Sequence, residues 1–70
     1  MTERHVVPDH GGGGWKVIGS STGATESRTT TQAGAIADAE YEVRRAGGGE
    51  VLIHGLDGKV NDKRKVEPGT

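Results

Sequence analysis

The larger apolar residues of this chain fall into four clusters, Val6–Val7, Trp15–Ile18, Ile36–Val43 and Val51–Leu56, separated by glycine-rich and polar stretches. RHVVP, residues 4–8, is β-branched and ends in a proline that cannot donate to a sheet ladder, which predicts an edge-type strand. WKVIGSS, residues 15–21, alternates: Trp15 and Val17 share one face, Lys16 and Ile18 the other, as in a second strand. Asp9, His10 and four consecutive glycines lie between them and read as a hairpin connection longer than the tightest turns. STGATESRTTT, residues 21–31, has no period and reads as a loop, parts of which could extend the second strand.

From Thr31 the period becomes helical. Thr30 or Thr31 can cap an N-terminus by accepting from an unpaired backbone N–H. Ala33, Ile36, Ala37, Glu40 and Val43 follow the i, i+3, i+4 rhythm, with Glu40 the polar exception. Arg44 and Arg45 suit the negative end of the helix dipole, and Gly47 to Gly49 supply a left-handed stop. EVLIHG, residues 50–55, is a further strand, and Asp57-Gly58 a tight turn into a last strand, KVNDK, residues 59–63. RKVEPGT, residues 64–70, reads as a flexible tail, so one domain spans 1–70 with an ordered core over about 4–63.

The order ββαββ predicts a small two-layer α+β sandwich, an antiparallel sheet with one helix across one face. Val51 and Ile53 then point one way, Leu52 and His54 the other. One helix covers one face only. The opposite face stays partly apolar unless a second copy covers it, and this favours a homodimer.

Composition sharpens that expectation. Only 30% of the 70 residues are hydrophobic, Phe is absent, and thirteen are glycine, so a single core barely offsets chain entropy. A formal net charge of −1 gives no overall steering toward nucleic acid or anionic membrane. The lack of cysteine excludes disulfides, thiolate metal sites and a Cys nucleophile. No apolar run approaches a membrane span, and MTERHVVPD has no basic segment leading into an apolar one, so a cytoplasmic setting without membrane contact is expected.

Several stretches together resemble a known family: HVVP at residues 5–8, Gly14-Trp15 with Val17, Thr31 followed by Ala35, Ile36 and Ala39, and GGEVLIHGLDGKV at residues 48–60. They are similar to small bacterial and phage proteins known only as the domain of unknown function number twenty-one eighty-eight. The resemblance runs over about residues 4–62, and its V-x-I-H-x-x-D-G portion, Val51 to Gly58, is its most specific part. This chain departs from the pattern in a longer glycine turn and in Lys63, Arg64 and Lys65, where many members carry an aromatic residue. The resemblance implies a compact ββαββ domain in an intracellular setting. It brings no activity, substrate or catalytic residue with it.

Candidate chemistry is sparse. The glycine run lacks the following helix and the Lys-Ser/Thr pair of a phosphate loop, which leaves a hairpin turn or, less simply, a nest of amides for an anion. His5, His10 and His54 could meet only if their strands are neighbours, and they lack the close ligand spacing of zinc sites. Asp57 could orient His54, but an Asp at that place more often bonds its own turn. Ser20, Ser21 and Ser27 have no base nearby in sequence, so neither an enzyme nor a cofactor is expected. The expected function is a non-catalytic interaction module that binds a protein partner or itself through Trp15, Val51, Leu52, Ile53 and His54. The alternative is weak nucleic-acid binding by a basic patch of Arg44, Arg45, Lys59, Lys63, Arg64 and Lys65.

Overall fold

In the computed structural model, which describes residues 2–19 and 23–69, the chain forms β1 Thr2–Pro8, β2 Trp15–Gly19, β3 Thr25–Thr29, α1 Gln32–Arg45, β4 Gly49–His54 and β5 Val60–Val66. The strands make one five-stranded sheet in the order β3-β2-β1-β4-β5, and α1 packs on one face of it. This is the two-layer α+β arrangement expected, with its hairpin, helix and hairpin in that order. Ser20 and Ser21, the end of the expected second strand, lie outside the described residues, as does Thr70 of the expected tail.

Three details differ from the expectation. First, β3 forms inside the stretch read as a loop, pairing antiparallel with β2 through Trp15–Thr29, Lys16–Arg28 and Val17–Ser27. Its residues are all polar, with Thr25, Glu26 and Arg28 exposed at the sheet edge, so hydrophobic alternation could not reveal it. Second, the sheet is mixed rather than wholly antiparallel. The helix carries the chain from β3 back across the sheet, so β4 returns in the same direction as β3 and docks parallel to β1. Third, β5 continues to Val66, which pairs with Gly49 and is 6% exposed, so the ordered core reaches beyond residue 63.

The core consists of Val6, Val17, Val51, Ile53 and Val66 from the sheet and Ala35, Ala39 and Val43 from the helix, with Trp15 and Ile36 packed against it. The helix therefore buries an i, i+4, i+8 stripe, whereas Ala33 and Ala37 of the expected stripe are exposed. The rotation has a physical reason. Two alanines let the helix approach the valine rows closely, and Glu40 moves to the rim, where it accepts from Arg64 Nη1 at 3.2 Å instead of being buried unpaired.

The ends are fixed as the sequence implies. Thr31 caps α1 by accepting from the Gly34 amide at 3.0 Å. Gly47 and Gly48 take φ of 105° and 93°, and the Gly48 amide donates to the Val43 carbonyl at 2.8 Å, closing the helix. Gly49 serves a different need: a Cβ there would collide with the Thr2 backbone of β1. Among the described residues, no helix is long and apolar enough to cross a membrane.

Candidate functional site

Register aligns the residues opposite the helix in rows. Glu3 lies beside Glu50 and then Lys65; Ile18 beside His5, Leu52 and Lys63; Arg28 beside Lys16 and Val7. Val7, Ile18 and Leu52 are half-buried, and α1 lies on the other side of the sheet. The face thus has an apolar centre, acidic residues at the start of β1 and β4, and Lys16 with Arg28 toward the opposite end. Lys63 Nζ reaches Glu50 Oε2 at 3.6 Å across two strands.

In the centre His5 and His54 meet. His5 Nδ1 lies 2.8 Å from His54 Nε2, and the ring centroids are 5.0 Å apart. That separation is close to the contact distance plus two ring radii, so the imidazoles meet end to end. The outer nitrogens are also engaged: His54 Nδ1 donates to the Gly58 carbonyl at 2.8 Å, and His5 Nε2 is 3.5 Å from Glu3 Oε1. The β1–β4 parallel pairing makes the meeting possible by setting His5 opposite Leu52, two residues before His54. Gly58 enters because the turn folds back, its amide donating to the Gly55 carbonyl at 2.9 Å. Asp57 serves that turn, accepting from the Lys59 amide at 3.1 Å, and does not orient His54. His10 is exposed in the glycine turn. Among the described residues no group of three His, Asp or Glu is placed to hold a metal ion.

The glycine turn is a hairpin connection, with the Asp9 amide donating to the Gly14 carbonyl at 2.9 Å and the Gly13 amide to the Asp9 carbonyl at 2.7 Å. Its amides also hold an anion, and that anion is internal. The Gly12 amide donates to Asp9 Oδ1 at 3.1 Å, and Arg28 Nη1 donates to Asp9 Oδ2 at 3.2 Å. The Gly12 amide is the main reason the Asp9 carboxyl titrates below its ordinary value; burial opposes this, and Arg28 and Lys16 reinforce it. Gly14, with φ of 73°, lies where a Cβ would run into the Thr29 carbonyl, so the turn needs glycine there.

The expected contact residues divide between the two faces. Leu52 and His54 are on the open face. Val51 and Ile53 are 0% and 4% exposed beneath the helix and so are not available to a partner; strand alternation puts them there. Trp15 is half-buried on the helix side, against the core. Glu3, His5, Val7 and Ile18 belong to the open face and were missing from the expected set, although alternation through β1 and β2 would have found them.

The expected basic patch does not assemble. Lys63 and Lys65 are on the open face beside acidic residues, whereas Arg64 is on the helix side, 3.2 Å from Glu40 and 3.7 Å from Asp62. Lys59 lies in the turn at the other end of β4 from Arg44 and Arg45. Beside the helix C-terminus, Arg4, Tyr41, Glu42 and Arg45 line a shallow concavity whose arginines already have partners: Arg4 Nε donates to Glu42 at 3.2 Å, and Arg45 lies 5.6 Å above the Tyr41 ring. The Ser27 hydroxyl is buried on the helix side, opposite the face that holds the two central histidines.

No curated protein and no solved structure matches the chain. One family model does, that of DUF2188, described as an uncharacterized protein conserved in bacteria, and it spans residues 4–66. The match runs from β1 through the whole of β5, so it covers both hairpins, the helix and the paired histidines. This chain belongs to that bacterial family.

Proposed function

We propose that the chain is a cytoplasmic, non-catalytic interaction module whose contact surface is the open sheet face and whose partner there is a second copy of itself. The observation that carries this reading is the half-buried set Val7, Ile18 and Leu52 on a sheet whose helix lies on the other side. A domain of this size has little core to spare, and covering that set adds buried apolar area. Glu50 is paired with Lys63 and Arg28 with Asp9 within the chain, so the apolar centre rather than charge carries the self-pairing. Nucleic-acid binding is less well supported, because the basic residues are split between surfaces and Lys63 and Arg64 are already paired with carboxylates.

Light scattering on the eluting protein tests this reading with Leu52→Lys as the variant. Wild-type protein should run as a dimer at micromolar concentration, and Leu52→Lys as a folded monomer. A wild-type monomer that instead binds nucleic acid with an affinity falling steeply in salt overturns the proposal.

A further inference from the structure

The paired imidazoles carry a consequence that does not depend on what the open face binds. A carbonyl oxygen only accepts, so the 2.8 Å contact to Gly58 places a proton on His54 Nδ1. In neutral His54 the other nitrogen, Nε2, is then an acceptor, and the 2.8 Å contact to it places a proton on His5 Nδ1. Both protons of a neutral pair are now assigned. His5 Nε2 is left bare, facing the Glu3 carboxylate at 3.5 Å, where two acceptors repel. One further proton on His5 Nε2 turns that repulsion into an ion pair and disturbs neither of the other contacts. A second further proton would have to go on His54 Nε2, setting two N–H groups against each other and parting the rings.

We infer that His5, His54 and Glu3 form a one-proton switch at the centre of the open face: one proton closes the His5–Glu3 contact, and a second breaks the His5–His54 contact. The 2.8 Å between the two nitrogens supports this, because imidazole nitrogens sharing one metal ion at about 2.0–2.1 Å each would stand more than about 3 Å apart. The neighbouring charges leave Glu3 as the group nearest the proton. On the same face are Lys16 from β2, Arg28 from β3, Glu50 from β4 and Lys63 and Lys65 from β5. Glu50 is paired with Lys63, and Asp57 is engaged by the Lys59 amide in the turn. From the helix, the uncharged Gln32 donates to the His54 backbone carbonyl at 3.5 Å. Protonation adds a positive charge within the apolar centre and so makes the face's charge pattern depend on pH.

Long-range proton–nitrogen NMR on the nitrogen-labelled full chain, from about pH 8.5 down to about pH 5, reads the state of each ring nitrogen directly. At the high end both rings should be in the Nδ1–H form. On acidification His5 should become doubly protonated while His54 keeps a bare Nε2, so the rings titrate in succession. Glu3→Gln should leave both rings in the Nδ1–H form at the high end, because the Gly58 carbonyl and His54 Nε2 set those protons. An Nε2–H form of His54 at the high end, simultaneous titration of both rings, or a tautomer change in Glu3→Gln would each overturn the inference. The wild-type spectra decide the tautomers without any variant.

Discussion

The two faces of the sheet are made by the same strands, yet they differ in kind. On the helix side Val6, Val17 and Val51 are fully buried and meet Ala35, Ala39 and Val43. One residue along in each strand, Val7, Ile18 and Leu52 are half-buried and share their face with histidines, glutamates and lysines. The covered face is specified by volume: small helix residues over branched sheet residues, with charge kept to the rim. The open face carries pairs between ionisable side chains, His5 with His54 and Lys63 with Glu50. Covered core and open surface are thus divided between alternate residues of the same strands.

Substitutions on either side of that division should sharpen it. The largest loss is expected at Gly49, which both faces require, because β1 passes close to it; Gly49→Ala should cost about 3 kcal/mol in urea denaturation, the upper end for an overpacked site. Next is the adjacent pair Val51 and Leu52. Val51→Ala should cost roughly 2 kcal/mol at any protein concentration. Leu52→Ala should cost less than about 1 kcal/mol in dilute protein and more as concentration rises, since only association buries it fully. Equal, concentration-independent losses would erase the distinction. Thr31→Ala should remove about 1 kcal/mol by leaving the Gly34 amide without its cap, and should not affect association.

The smallest effect concerns Asp9. Its carboxyl titrates below the ordinary value of 3.8, so the charged form is favoured in the folded chain. The stability it contributes is present above that ordinary value and is lost as pH falls through the lower, folded one. Acid titration followed by circular dichroism should show this loss in the wild type, and Asp9→Asn should flatten it.

Much of the covered face was legible in the sequence, because burial leaves a period. The cap at Thr31, the glycine stop at Gly47 and Gly48 and the valine alternation of β1, β2 and β4 all follow from local rules. The phase of the helix did not, since a helix rich in alanine presents several near-equivalent stripes, and the choice fell to the fit of Ala35 and Ala39 against the sheet. The edge strand β3 left no apolar trace. The open-face site was half legible. Leu52 and His54 follow from alternation in β4, but the meeting of His5 with His54 depends on a parallel pairing between strands more than forty residues apart in the chain. The carboxylate that fills the glycine turn was visible as Asp9 all along, and only the folded turn brings the Gly12 amide onto it.

The central claim, that the open face is a surface covered by a second copy, is tested most directly by isotope-filtered NMR on a mixture of carbon-labelled and unlabelled protein. Contacts between chains are expected at the methyls of Val7, Ile18 and Leu52, with the Val6, Val17 and Val51 methyls showing none. A spectrum without contacts between chains at millimolar protein, or with contacts confined to the helix and its flanks, would contradict it.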